Sequence, residues 1–238
     1  MAWNPNEYRV EKKNYAATKR IPIGILEDIS SSTADVREII NRAMEKLIKK
    51  LKETPNFQKS VDLLVIFFNG EAEVKVNFEP LENVEPDQLM IAGVIGYTDT
   101  GRALLEALRL LEEKKKEYKA NMIEYWQPKL FLLTDGYPSA WLGAPDSVGK
   151  EIEERYMMAA KEIRQLEEKR KLSFAAAGIQ RQGGASANMS KLKELGDHIV
   201  CVSEGLSGMN RIESFFELIG ATVLDTETPM EQIIHHLF

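Results

Sequence analysis

The chain of 238 residues has a single cysteine, Cys201, and three histidines. A lone cysteine excludes an intramolecular disulfide, and with it the small stapled domains of the secreted class. Basic residues are not in excess: 31 Lys+Arg stand against 37 Asp+Glu, a net charge of −6. Nothing in the overall charge therefore draws the chain to nucleic acid or to an anionic membrane. Long apolar runs are missing too. The longest, such as Leu63 to Phe68 and Leu130 to Leu133, fall far short of the roughly 20 residues that cross a bilayer. The chain does not open with a charged segment, an apolar run and a small-residue cleavage site. A cytoplasmic protein with no nucleic-acid or membrane partner is therefore expected. With 44% hydrophobic and 29% charged residues, the composition is that of an ordinary soluble protein, which excludes collagen-like repeats and wholesale disorder.

What is present alternates between two periodicities. Residues 1–19 are polar and aperiodic and read as an N-terminal arm. Ile21 to Glu27 is a short apolar run with β-branched residues, which predicts a buried strand. From Ala34, apolar residues recur at Val36, Ile39, Ile40, Ala43, Met44, Leu47, Ile48 and Leu51, the spacing of an amphipathic helix, and Pro55 stops it. Val61 to Phe68 is a second apolar run. Asn69-Gly70 and an alternating segment to Phe78 follow, which predicts a hairpin with an antiparallel edge strand. A short helix near Pro86 to Met90, a helix over Arg102 to Tyr118, a strand over Lys129 to Thr134 and a long loop over Gly136 to Gly149 come next. A charged helix over Lys150 to Lys171, a strand over Leu172 to Ala177, a helix over Ala187 to Leu195, a strand over His198 to Val202 and a helix over Arg211 to Ile219 complete the pattern. Strands alternating with helices imply an α/β fold: a doubly wound, mostly parallel six-stranded sheet with one antiparallel edge strand. The elements occupy residues 20–223, leaving 224–238 as a C-terminal tail.

In such a sheet the functional crevice lies beyond the carboxyl ends of the strands, near the point where strand order reverses. Three polar clusters are predicted at strand ends or helix starts: Asp28-Ile29-Ser30-Ser31-Ser32, Gly96-Tyr97-Thr98-Asp99-Thr100-Gly101, and Asp135-Gly136. With Asp99 read as a surface residue or a helix cap, they offer two carboxylates and several hydroxyls, and no histidine or cysteine. Oxygen donors of low total charge suit a hard cation of the Mg²⁺ type. Alternate residues Asp28, Ser30 and Ser32 turn their side chains toward one point. Taken alone, that string equally suits a helix cap at Ser32 or Thr33.

The three clusters together, in this order, resemble the metal-ion-dependent adhesion site of von Willebrand factor A domains. The resemblance implies that Asp28, Ser30 and Ser32 form a first ligand loop, Thr98 a second and Asp135 a third. They would hold Mg²⁺, or Mn²⁺ or Ca²⁺, and an Asp or Glu of a protein partner would complete the coordination. Leu133-Thr134-Asp135-Gly136-Tyr137-Pro138-Ser139-Ala140-Trp141, Arg20-Ile21-Pro22 and Phe215-Phe216 resemble more narrowly the bacterial intracellular branch of tellurite-resistance TerY-type proteins. This similarity covers roughly Lys19 to Val223. Ser31 stands where that family usually has glycine, and Tyr97 where it often has a second glycine; neither change removes a ligand.

The function expected from the resemblance is a metal-dependent protein-interaction module in a stress- or tellurite-linked assembly, not an enzyme. The alternative is a Mg²⁺-dependent phosphoryl-transfer or hydrolytic enzyme on a similar fold. The first loop, however, lacks a second carboxylate two residues after Asp28, where haloacid dehalogenase enzymes carry their acid. The remaining candidates read plainly: Cys201 as core, His198, His235 and His236 as non-ligands, Gly183-Gly184 as a turn, and the lysines from Lys114 to Lys116 as a solvated helix face.

Overall fold

A computed structural model describes residues 19–54, 57–93, 95–136, 138–180, 187–203 and 211–238. The expected arm, Pro55 and the Gly183-Gly184 turn lie outside the described residues, Lys19 excepted. Six strands form one sheet: β1 (Ile21–Asp28), β2 (Val61–Phe68), β3 (Ala72–Pro80), β4 (Lys129–Thr134), β5 (Ser173–Gln180) and β6 (Ile199–Ser203). Their order is β3-β2-β1-β4-β5-β6. All neighbours are parallel except β2 and β3. The continuous apolar runs became the interior strands: every residue of β1, β2 and β4 is buried. The alternating run became β3, at the edge, where most residues keep some exposure. Each side chain pointed the way its period required, because burying an Ile, Leu or Phe contributes about 1.5–3 kcal/mol.

The helices are α1 (Arg37–Glu53), α2 (Phe57–Ser60), α3 (Thr100–Ala120), α4 (Asp146–Glu168), α5 (Met189–Leu192), α6 (Ile212–Leu224) and α7 (Met230–Leu237). They cover the sheet in two layers. Ile21, Ile23 and Ile25 of β1 join α1, α6 and α7 in one core, and Leu26 joins α3 and α4 in the other. The residues expected as a C-terminal tail contain α7, whose Ile233, Ile234 and Leu237 rest on the first core. The helix expected over Ala187 to Leu195 is only the single turn α5.

Two polar features lie near the amino ends of the strands. Asp62, at the start of β2, is buried and accepts hydrogen bonds from Arg20 Nε at 2.7 Å and from the Tyr118 hydroxyl. Lys129, the first residue of β4, is 6% exposed, and burial pulls its amine down to about 8, with Asp225 opposing. An amine depressed in the fold costs stability below its folded pKa and recovers it as pH rises from about 8 toward the unfolded value. Lys129→Met is therefore expected to stabilise the protein by about 1–3 kcal/mol at neutral pH, with the gain shrinking above pH 8. Urea unfolding across that range checks it, and a gain that does not change with pH contradicts it.

Candidate metal centre

Strand order reverses between β1 and β4, whose carboxyl ends are adjacent. This is the place where an open α/β sheet leaves a crevice. β1 delivers Asp28 to it, and the residue following β4 is Asp135. Both are buried, at 1% and 3% exposure.

Asp28 is held on both sides. Its Oδ1 accepts the Ser30 N–H at 2.8 Å and its Oδ2 accepts the Thr134 hydroxyl at 2.6 Å. Burial raises its carboxyl to about 6; the bonds from Ser30 and Thr134 act against that, and the charge of Asp135 adds to it. A cation beside a buried acid raised in this way favours its ionised form. Ser30 is buried and its Oγ lies 2.9 Å from Ser32 Oγ. The two hydroxyls of the alternating string therefore meet as expected.

The helix-cap reading fails here. Thr33 donates its hydroxyl back to the carbonyls of Asp28 and Ser30, at 2.9 and 3.0 Å. α1 begins only at Arg37, after a turn of 3₁₀ helix over Ser31–Thr33, and neither helix has a side-chain N-cap bond. The serine hydroxyls are thus not consumed by capping.

Backbone bonds draw in the second and third loops. Ile95 N–H donates to the Ile29 carbonyl at 3.0 Å, and Gly96 N–H donates to Ser31 Oγ at 3.1 Å. Ser31 thus ties the first loop to the second. Thr98 and Ser139 exchange backbone hydrogen bonds at 3.1 and 2.9 Å, tying the second loop to the third. Gly136 turns the third loop at φ +77°, where a Cβ would also meet Leu192 at 3.0 Å, so glycine is required there. Tyr97 does not crowd the site: its ring covers Gly70, where a Cβ would clash, and its centroid lies 5.1 Å from that of Trp141.

The structure corrects the reading of Asp99 as a surface residue. It caps α3, accepting Arg102 N–H at 3.0 Å, yet it is 1% exposed. Its Oδ2 takes Nε and a terminal nitrogen of Arg155 at 2.9 and 2.6 Å. Arg155 from α4 therefore neutralises it.

Two residues escaped the sequence reading. Thr134 is the hydrogen-bond donor that orients Asp28; its place directly before Asp135 was the available signal. Glu27 is fully buried, and neither carboxylate oxygen has a hydrogen-bond partner among the described residues. Burial pushes its carboxyl up to about 8. Its signal was the Ile21, Ile23, Ile25, Glu27 alternation, which puts an acid on an apolar face.

The other candidates stay apart. Cys201 is half-buried on β6 with its Sγ 3.5 Å from Gln180 Oε1. His235 and His236 lie on α7, and Tyr137 is outside the described residues. Among the described residues no three His, Cys, Asp or Glu side chains gather as a metal cage. The donor set at the crevice is two carboxylates with hydroxyls, which fits an oxygen-preferring divalent ion and not a soft one.

No protein-family model and no curated protein matches the sequence. Among solved structures the chain is similar to BatB of Bacteroides thetaiotaomicron, a conserved hypothetical protein, at 15% identity over 89% of this chain and 99% of that one, with a TM-score of 0.51. The PilB minor pilin of Streptococcus sanguinis gives 15% identity over 93% of this chain, with a TM-score of 0.53. Manganese-loaded TRAP protein of Plasmodium vivax gives 18% identity over 75% of this chain, with a TM-score of 0.52. The chain spans 63% of each of those last two. At these identities the likeness is one of fold, and the fold is that of von Willebrand factor A domains. No described helix is long and apolar enough to cross a membrane.

Proposed function

We propose that this chain is a metal-dependent protein-interaction domain whose centre comprises Asp28, Ser30, Ser32, Thr98 and Asp135. One observation carries the reading: three loops, bonded to one another, bring two buried acids and a pair of serine hydroxyls to the switch point of the sheet. Asp28 and Asp135 provide the negative charge, and the hydroxyls of Ser30, Ser32 and Thr98 provide neutral oxygens. Mg²⁺ is the first choice for such a set, with Mn²⁺ or Ca²⁺ as alternatives; the manganese carried by the TRAP protein of the same fold supports a divalent ion. When bound, the ion would offer a coordination position to a partner's Asp or Glu.

The surroundings favour a protein partner. Trp141 is 47% exposed beside the third loop, Leu142 is wholly exposed, and Ile95 projects from the second loop. An apolar rim around a polar centre marks an interaction surface. We assign the partner to the cytoplasm and, from the TerY-type motifs, to a stress- or tellurite-linked assembly. Catalysis has less support, because Ser30 stands where the second acid of an aspartyl-phosphate enzyme would be.

Affinity capture from a bacterial extract tests the reading. A partner is expected to be retained in Mg²⁺ or Mn²⁺, released by EDTA, and lost when its acidic residue is changed to the amide. Retention that is equal with and without chelator would mean that the surface works without an ion.

A further inference from the structure

The face around the amino ends of the strands, opposite the proposed metal centre, carries a second feature. The end of α3, the loop into β4 and the turn from α4 to β5 line an open cavity of about 800 Å³. Its wall holds five cations, Lys115, Lys116, Lys119, Arg170 and Lys171, against one carboxylate, Glu112. This is a local reversal of sign in a chain of net charge −6. Sequence alone reads the lysines of α3 as a solvated face; the fold brings Arg170 and Lys171 to them from more than a helix away.

Lys115 pairs with Glu112 at 2.8 Å, as helix neighbours do. Lys116, Lys119, Arg170 and Lys171 have no side-chain hydrogen bond or ion pair among the described residues. Cations at helix ends often serve the helix dipole or cap the last carbonyls. Among the described residues none of the four side chains donates to a carbonyl, and two separate helix ends contribute to one concavity. Arg170 also sits at φ +52°, a region that glycine or asparagine occupies at less cost.

The walls are fixed. Tyr125 lines the cavity and packs against Tyr118, ring centroids 5.0 Å apart and tilted by 30°, and the Tyr118 hydroxyl is bound to Asp62. Gln127 donates to the Leu172 carbonyl at 2.8 Å, and Ser173 N–H donates to the Pro128 carbonyl at 2.9 Å, so the two loops are bonded together. A preorganised cavity of this volume matches a small molecule better than a flat protein surface does. Amines and a guanidinium with free donors match phosphate oxygens.

We propose that this cavity binds a small, multiply charged phosphate compound, its phosphates held by Lys116, Lys119, Arg170 and Lys171 beside the Tyr125 ring. Two sources share that chemistry: a nucleoside polyphosphate, whose base would stack on Tyr125, and free inorganic polyphosphate. Calorimetry with inorganic tripolyphosphate in EDTA buffer tests it without involving the metal centre. Binding is expected at low salt and should weaken as salt rises. It should fall by about tenfold or more in Lys116→Glu/Arg170→Glu, and stay unchanged in Asp28→Ala. Both exchanged residues are exposed, so an unchanged melting curve will show that the fold is intact. A nucleoside triphosphate that binds more tightly than tripolyphosphate, with the difference lost in Tyr125→Leu, assigns the ligand to nucleotides; equal affinities assign it to polyphosphate. Absent binding, binding equal in the charge-reversed variant, or tighter binding of a poly-glutamate peptide than of either phosphate overturns the proposal.

Discussion

Asp28→Ala will lose divalent-cation binding by about two orders of magnitude or more, while the metal-free protein stays folded. The affinity of an oxygen site follows its ligand charge, and Asp28 supplies one of the two carboxylates at the crevice. The fold tolerates the change because the ion-free carboxylate is under stress: burial and Asp135 hold its pKa at about 6. Removing it releases that cost while also freeing the Ser30 N–H and the Thr134 hydroxyl from their acceptor, two opposing effects of similar size. Thr134→Val is the sharper companion. It keeps the shape and removes only the donor that holds Asp28 Oδ2; changes to such orienting partners weaken metal sites about tenfold to hundredfold. Calorimetry with Mg²⁺ and Mn²⁺ checks both variants. Unchanged affinity in Asp28→Ala would remove this crevice from consideration as the metal centre, and unchanged affinity in Thr134→Val would remove Thr134 as its positioning residue.

The second large effect concerns stability. Glu27→Leu is expected to raise unfolding free energy at pH 8 by several kcal/mol, and to change it little near pH 4.5 beyond the apolar gain of the leucine. The sign follows from the direction of the shift. Burial raises the folded-state carboxyl to about 8 from the ordinary value of 4.5, so between those values the folded chain holds a proton that the unfolded chain has lost. Stability therefore falls as pH rises through that window, by about 1.4 kcal/mol per unit at most. The leucine variant lacks that slope. Glu27→Gln lacks it too but keeps an unpartnered buried amide, so its gain is smaller. Asp28 contributes a slope of its own, and the difference between wild type and variant isolates Glu27. Denaturant unfolding at several pH values is the measurement. Parallel curves for wild type and Glu27→Leu would show that Glu27 is solvated or paired in solution.

The same residue illustrates what the sequence made legible. The period-two pattern of β1 put Glu27 on the face of Ile21, Ile23 and Ile25, and its burial could have been read there. Its lack of a hydrogen-bond partner among the described residues could not, because that depends on every element packed above the strand. Asp99 is the converse case. Its place before a helix predicted a cap, which it is, but the arginine that neutralises it comes from α4, 56 residues later. Likewise, Asp28-x-Ser30-x-Ser32 was visible as a string, and only Thr33 folding back onto the Asp28 and Ser30 carbonyls decided that the hydroxyls were not caps.

By itself the sequence determined the fold class and the edge of the sheet at which the polar clusters lie. Continuous apolar runs force interior strands, an alternating run forces an edge strand, and the polar residues that follow the strands must then lie at the carboxyl edge of the sheet. These are local consequences of periodicity, which needs no knowledge of distant residues. Tertiary structure alone decided that Asp99 meets Arg155 and that Asp28 is held by Thr134. It also gathered the lysines of α3 with Arg170 and Lys171 around one cavity. Burial and pairing belong to groups that meet only after the chain has folded, and no spacing along the sequence encodes a distance between them.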